Sequence, residues 1–340
     1  MTPGRPDGVR RPVYGPFYGL SESPFDLTPN PRFLFLTPSQ QEALSNLIYG
    51  LTAAKGLTLV LGDAGTGKTT LVRTAMARLG DSPSQQVLIN NPTLSRSEFY
   101  ESLTQQFGLP EHAASSKAKF LTELQRQVEA RFAAGGLTGL IIDEAQSLPH
   151  DLLEEVRLLG NIETPSSKLL NIVLTGQPEL ADRLNEPGLR QLKQRVALRC
   201  ELRPFSLAET ASYISGRIRI AGGSPQEIFT REAVVAIHAA SHGIPRIINV
   251  LCDNALVSGY AAQVRPIPVG IVADACRDFD LKPTAAGPRP QSGSPAAASA
   301  PQLAPHEDSR ALPAKAAARE DRPMFGALQP KPKRRFSFFS

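Results

Sequence analysis

The chain of 340 residues has no tryptophan, three cysteines, three methionines and 6% aromatic residues. Cys200, Cys252 and Cys276 are odd in number, far apart and spaced for no metal site, so neither a disulfide framework nor a zinc cluster is indicated. They read as buried thiols of a reduced compartment. No apolar run approaches the roughly 18–20 residues that span a bilayer, and the opening is polar and proline-rich rather than a secretory leader. The expected location is cytoplasmic. The body of the chain also lacks an excess of positive charge. The formal net charge is +5, but residues 282–340 hold ten Lys/Arg against four Asp/Glu and residues 1–17 hold three against one. That leaves 24 against 27 in residues 18–281, so the basic character belongs to the ends and no broad DNA-binding face is indicated.

What the chain does have is an ordered alternation of apolar and helix-patterned segments. Strands are expected at 57–61, 86–90, 137–142, 169–175 and 196–202, and helices at 38–54, 68–79, 95–107, 116–134, 149–161 and 178–194. Ser95 and Glu98 have capping-box spacing at the start of the third helix. Apolar strands separated by amphipathic helices imply an α/β fold, a parallel sheet covered by helices on both faces. After Pro204 the strands stop. Helices are expected at 207–221, 230–241, 245–262 and 268–278, the first opened by Ser206 and Glu209. The expected organisation is a disordered stretch at 1–17, an α/β domain at 18–205, a small all-helical domain at 206–281 and a disordered Pro/Ala-rich basic tail at 282–340.

Between the first strand and the first following helix stands Gly62-Asp63-Ala64-Gly65-Thr66-Gly67-Lys68-Thr69-Thr70, which fits G-x-x-x-x-G-K-[ST] in its required strand–helix context. Gly62, Gly65 and Gly67 let the backbone turn tightly and aim amide N–H groups at one anion. The helix start adds its positive dipole end. Lys68 can reach β- and γ-phosphates, and the Thr69 hydroxyl can ligate magnesium. These residues imply a P-loop NTPase that binds a nucleoside triphosphate.

The strand Leu140-Ile141-Ile142 ends in Asp143-Glu144. Ligands of open parallel sheets sit at the carboxyl ends of strands, so both acids should face the phosphate loop. Asp143 suits magnesium, directly or through water, and Glu144 suits activation of the attacking water as general base. At the end of the strand 169–175, Thr175 or Gln177 can set a polar group beside that water, with Gln177 favoured. Arg195 follows Gln191-Leu192-Lys193-Gln194 just before the last strand, where it can reach the γ-phosphate of a neighbouring subunit; Arg190 is the alternative. In Gly243-Ile244-Pro245-Arg246 a cation stands in the first turn of a helix, against the dipole, and a bound nucleotide would give Arg246 its reason.

Together these residues resemble the AAA+ ATPases, and more narrowly the bacterial general secretion pathway protein A family and its relatives in pilus, exopolysaccharide and exosortase loci. The likeness runs from about Tyr18 to Leu281. It is carried by Phe17-Tyr18-Gly19-Leu20, by Pro24-Phe25-Asp26-Leu27-Thr28-Pro29-Asn30-Pro31-Arg32-Phe33-Leu34-Phe35, by Asp143-Glu144-Ala145-Gln146, by Gly176-Gln177-Pro178-Glu179-Leu180 and by Gly243-Ile244-Pro245-Arg246. The resemblance implies ATP and Mg2+ as ligands, a helical lid with Arg246 as its arginine, and a homo-oligomer in which Arg195 acts in trans. It also implies that the Pro/Phe-rich opening packs across the ATPase domain near the adenine, with a purely structural strap as the alternative. Secretion-type members continue past the lid into a membrane span and a peptidoglycan-binding domain. A compact ATPase with a tail is more similar to the exopolysaccharide or exosortase branch, with envelope or secretion proteins as partners. The competing reading is a DNA-bound AAA+ ATPase resembling transposition target-selection proteins. The end Lys331-Pro332-Lys333-Arg334-Arg335-Phe336-Ser337-Phe338-Phe339-Ser340 interleaves cations with phenylalanines, which suits anionic lipid at the inner membrane or a docking peptide.

Overall fold

A computed structural model of the chain describes residues 12–28, 30–80, 84–90 and 93–281. Residues 1–11 and the whole tail from Lys282, for which disorder and lipid or partner contacts are expected from sequence, lie outside the described residues.

Five strands, β1 (Leu57–Gly62), β2 (Gln85–Ile89), β3 (Thr138–Ile142), β4 (Leu170–Gly176) and β5 (Val196–Leu202), form one sheet in the order β2-β3-β4-β1-β5. All four pairings are parallel. Ahead of β1 come α1 (Gly15–Tyr18) and α2 (Pro38–Thr52). Between the strands run α3 (Lys68–Leu79), α4 (Arg96–Phe107), α5 (Lys117–Ala133), α6 (His150–Leu159), α7 (Pro178–Arg183) and α8 (Arg190–Lys193). The chain then continues as α9 (Leu207–Ile220), α10 (Pro225–Ile228), α11 (Arg231–Ser241), α12 (Pro245–Ala261) and α13 (Val269–Asp278).

Successive side chains of a strand point to opposite faces, and both faces here are covered. Leu57, Leu59, Leu61, Leu140, Ile142, Leu170, Ile172 and Leu174 join Phe99, Leu103, Phe120, Leu124, Leu153 and Val156 of α4, α5 and α6 in one core. Val60, Ile141, Val173 and Cys200 face the other way, onto Leu44, Leu47 and Leu51 of α2 and Leu71, Val72 and Ala75 of α3. The parallel, doubly covered sheet expected from the apolar strands is therefore what forms. β5 is the exception, because as an edge strand it alternates: Ala197, Arg199 and Glu201 are exposed while Cys200 and Leu202 are buried.

Local chemistry sets the helix ends. Thr37, Ser95 and Ser206 cap α2, α4 and α9 with reciprocal capping boxes to Gln40, Glu98 and Glu209. The continuous helix expected over 178–194 does not form. It breaks after Arg183 and resumes at Arg190, because Pro187 has no N–H to donate and starts a short 3-10 turn at Pro187–Leu189. All three cysteines are free and buried, and burial pushes the Cys200 thiol up to about 11.

One expectation about the N-terminal segment needs correction. The disorder expected for residues 1–17 does not extend through the described part, since α1 begins at Gly15 and Tyr14 is buried. The Pro/Phe-rich segment has two parts: Asp26, Leu27, Thr28 and Phe33 to Leu36 line a cavity beside the loop between β1 and α3, and its rings are anchored in the C-terminal helices. Tyr14, Tyr18, Leu20, Phe25 and Phe33 belong to a third core shared with Ile214, Ile218, Ile237, Ile248, Leu251 and Val272 of the C-terminal helices. The physical reason is that apolar partners for these rings are exposed there once both sheet faces are taken by α2–α6. Hydrogen bonds lock the strap down: Tyr14 Oη donates to Asp253 Oδ1 at 2.5 Å, Tyr18 Oη to the Leu256 carbonyl at 3.2 Å and Arg217 Nε to the Pro24 carbonyl at 2.5 Å.

Candidate active site

The loop between β1 and α3 turns through positive φ at Gly65 (82°) and Gly67 (100°), conformations that side chains other than glycine rarely adopt. Gly65 also has no room for one, since a Cβ there would lie 2.9 Å from the Arg246 Cβ. Thr66 Oγ1 donates to the Asp63 carbonyl at 2.7 Å and pins the loop. Lys68 is buried and its Nζ donates to the carbonyls of Gly62 (2.8 Å) and Asp63 (3.2 Å), so the cation is held inside the loop it serves.

The strand register brings the second motif to this loop. Ile142 pairs with Leu174 across β3 and β4, so the residues that follow, Asp143 and Thr175, meet side by side. Asp143 Oδ1 accepts the Thr175 hydroxyl and Asp143 Oδ2 accepts the Thr69 hydroxyl. Thr175 is fully buried there. Gln177, favoured on sequence grounds, contributes its backbone N–H instead, to Gln146 Oε1 at 3.1 Å. Glu144 lines the same cavity as the phosphate loop and takes a left-handed φ of 52°. Strained backbone at a non-glycine residue collects at functional sites. Gln146 Nε2 donates to Glu144 Oε2 at 2.5 Å.

The cavity of about 360 Å³ has two walls. Gly65, Thr66, Gly67, Lys68, Thr69, Thr70 and Glu144 line one side, whereas Gly62 and Asp63 lie behind the loop, in a separate cavity of about 220 Å³ beside Pro178 and Arg203. Ala64 is exposed at the loop tip. The other side is Phe33, Phe35, Phe205, Tyr213, Arg217, Arg246 and Asn249. The Arg246 backbone N–H donates to the Gly65 carbonyl at 3.3 Å, which seats the first turn of α12 on the phosphate loop, and the Arg246 side chain is exposed to the cavity. The Arg217 guanidinium is buried with its carbon 5.0 Å from the Phe33 ring centre, and Nη1 donates to Tyr213 Oη at 2.7 Å. Burial of that phenol pushes its pKa above the ordinary tyrosine value.

Arg195 is not part of this cavity. It precedes Val196, which pairs with Leu57 at the amino end of β1. The phosphate loop leaves the far end of that six-residue strand, about 20 Å away at ~3.3 Å per residue. Arg195 Nη1 donates to the Arg157 carbonyl at 2.8 Å and lines a small cavity of about 100 Å³ with Lys55 and Lys168. Arg190 is exposed at the start of α8.

The residue set fits a magnesium ion. Mg2+ is held by oxygen donors, typically one or two carboxylates plus substrate phosphates and waters. The Thr69 hydroxyl already lies against one oxygen of Asp143 beside a basic phosphate cradle. Among the described residues no cluster of three or more His, Cys, Asp or Glu offers a rival metal cage.

Residues 52–184 match the AAA domain family. Over 262 residues the chain is 41% identical to general secretion pathway protein A of Aeromonas hydrophila, covering 77% of this chain and 47% of that protein. The chain is an AAA+ protein of the general secretion pathway protein A-like family. It spans about half the length of that relative. Solved structures share the fold of this AAA+ chain. Drosophila ORC bound to DNA superposes with a TM-score of 0.58 at 20% identity, over 83% of this chain and 71% of that one. Cdc6p of Pyrobaculum aerophilum gives 0.58 at 15% (75% and 70% covered), and a Walker-type ATPase of Pyrococcus abyssi gives 0.56 at 19% (76% of each).

Sequence reasoning missed Gln146, Tyr213 and Arg217 as site residues. Gln146 stood inside a recognised motif without a role. Tyr213 and Arg217 sit at i and i+4 on α9, a spacing that reads only as one face of a helix. Among the described residues no helix is long and apolar enough to cross a membrane.

Proposed function

We propose that this AAA+ protein binds ATP with Mg2+ and hydrolyses the bond to the γ-phosphate, using the cycle to drive or regulate assembly of a bacterial envelope export, pilus or exopolysaccharide machine. The convergence of Lys68, Thr69 and Glu144 on one cavity, with Asp143 bonded to Thr69 and Arg246 opposite, carries this reading. Lys68 and the loop amides would bind the β- and γ-phosphates, and Thr69 and Asp143 would hold the metal, which supplies charge neutralisation between the phosphates. Glu144 takes a proton from water as its oxygen attacks the γ-phosphorus, and the bridging oxygen leaves with ADP. Arg246 senses the nucleotide from the helical side. Arg195 stands too far from its own cavity to act there, which favours a homo-oligomer in which it serves a neighbour, with Arg190 as the exposed alternative. The secretion role rests on the name of the Aeromonas relative. The widely spaced, unpaired cysteines favour a cytoplasmic chain, and the secretion role favours work at the inner membrane.

Glu144→Gln is the deciding experiment. The variant is expected to bind ATP with unchanged affinity, to lose about 100-fold or more in turnover, and to accumulate any ATP-dependent oligomer, read by light scattering. Turnover at the wild-type rate would overturn the assignment. Duplex DNA at low salt is expected to leave rate and assembly unchanged; salt-sensitive stimulation would move the protein to the DNA-bound reading.

A further inference from the structure

We propose that Gln146 is the positioning residue for Glu144: its side-chain amide ties one oxygen of that carboxylate to the β4–α7 turn and leaves the other free to take the proton from water. The proposal rests on the reading of Glu144 as general base and deepens it.

Three observations carry it. The first is that the amide has one orientation. The backbone N–H of Gln177 can only donate, so the atom it meets at 3.1 Å must be the carbonyl oxygen of the Gln146 side chain. The NH2 group is then turned to Glu144 Oε2 at 2.5 Å, and flipping the amide would break both hydrogen bonds. A second observation is that Glu144 opens the 3-10 turn Ala145–Ser147, its carbonyl accepting the Ser147 N–H at 2.9 Å, while its carboxylate is held by Gln146. Its left-handed φ of 52° just after β3 turns the backbone so that Gln146, two residues on, meets its carboxylate. The base is oriented by a third group, as in other activated pairs. Third, the anchor is rigid and built for the approach. Arg183 Nη1 on α7 donates to the main-chain carbonyls of Gln146 and Leu148. At Gly176 a Cβ would lie 2.8 Å from Gln146 Oε1, so the amide reaches the turn only because that position has no side chain. Through this bridge the base is fastened to α7, the start of the segment that leads to Arg190 and Arg195.

Two substitutions in the full chain separate orientation from mere support. Gln146→Met keeps the volume and removes both hydrogen bonds. Gln146→Glu keeps an oxygen for the Gln177 N–H but offers Glu144 no donor and a like charge. Both are expected to lower kcat by about 10–100-fold, the scale of a misplaced catalytic group, while the dissociation constant for a fluorescent ATP analogue and the thermal midpoint stay at the wild-type values. A Gln146→Glu variant as active as wild type would overturn the proposal, because a purely structural anchor survives that change. So would wild-type kcat in Gln146→Met. If Glu144→Gln itself turned over normally, the base assignment would fail first and Gln146 would lose its role with it.

Discussion

The two walls of the nucleotide cavity are built in opposite ways. The sheet-side wall comes from one contiguous run, Gly65–Leu71, and from Glu144, with Asp143 bonded to Thr69 beside them. Its geometry is backbone geometry: positive φ at two glycines, parallel register between β3 and β4, and hydroxyls at Thr69 and Thr175 on one carboxylate. The helical wall is assembled from pieces far apart in sequence: Phe33 lies under the Arg217 guanidinium, and Arg217 Nε reaches the Pro24 carbonyl 193 residues away. Its rings, Phe33, Phe35, Phe205 and Tyr213, also pack in the core that holds the C-terminal helices together. One wall can therefore lose function without losing stability. On the other the two are coupled.

The largest effect that would sharpen this contrast is on the sheet side. Lys68→Ala removes the ammonium that faces the phosphates and is expected to weaken ATP binding by about 100-fold, or ~3 kcal/mol, in line with a charge-assisted contact. The thermal midpoint without nucleotide should change little, because Lys68 Nζ bonds only the Gly62 and Asp63 carbonyls beside it and holds no distant element in place. Isothermal titration and a melting curve read the two separately. A large drop in the midpoint would break the contrast.

Phe33→Ala is the matching change on the helical wall. Phe33 is 4% exposed and sits under the Arg217 guanidinium. Truncation of a buried ring costs about 3 kcal/mol or more, and here it also uncovers a cation that has no carboxylate partner among the described ion pairs. Denaturant unfolding should register that loss, together with a roughly tenfold weaker ATP affinity from the gap left in the cavity wall. Normal stability with weakened binding would show that the strap serves the ligand alone.

The same asymmetry explains what could be read from the residues in order. The phosphate loop, the Asp143–Glu144 pair, the five strands and the C-terminal helices were legible because each is a local pattern: glycine spacing, an apolar run that ends in acids, a helical period with its cap. The break at Pro187 and the contact of Thr175 with Asp143 were not. Helical periodicity across 178–194 outweighed a single proline, and only the β3–β4 register, a nonlocal fact, puts Thr175 rather than Gln177 beside Asp143. The strap is the plainest case. Its aromatic residues announced burial, but not that their partners lie past residue 205. Gln146 escaped notice because its function depends on Gln177 and Glu144 meeting it from two directions.

The smallest predicted effect tests whether the strap is an integral part of the helical core. Tyr14 is buried, and its hydroxyl donates to Asp253 Oδ1. Burial and that carboxylate push the phenol well above the ordinary tyrosine value, so it stays neutral and hydrogen-bonded at every working pH. Tyr14→Phe removes one such bond while the half-exposed Asp253 regains water, a net loss of about 1 kcal/mol, or roughly 2–4 °C in the midpoint for a body of this size. ATP affinity should not move, since neither residue lines the cavity. A single cooperative transition shifted downward is the outcome for a strap folded as part of that core. If Tyr14→Phe instead split the transition, with an early step that abolished ATP binding while the helices persisted, the strap would be a separately opening element. The helical wall would then be two structures rather than one.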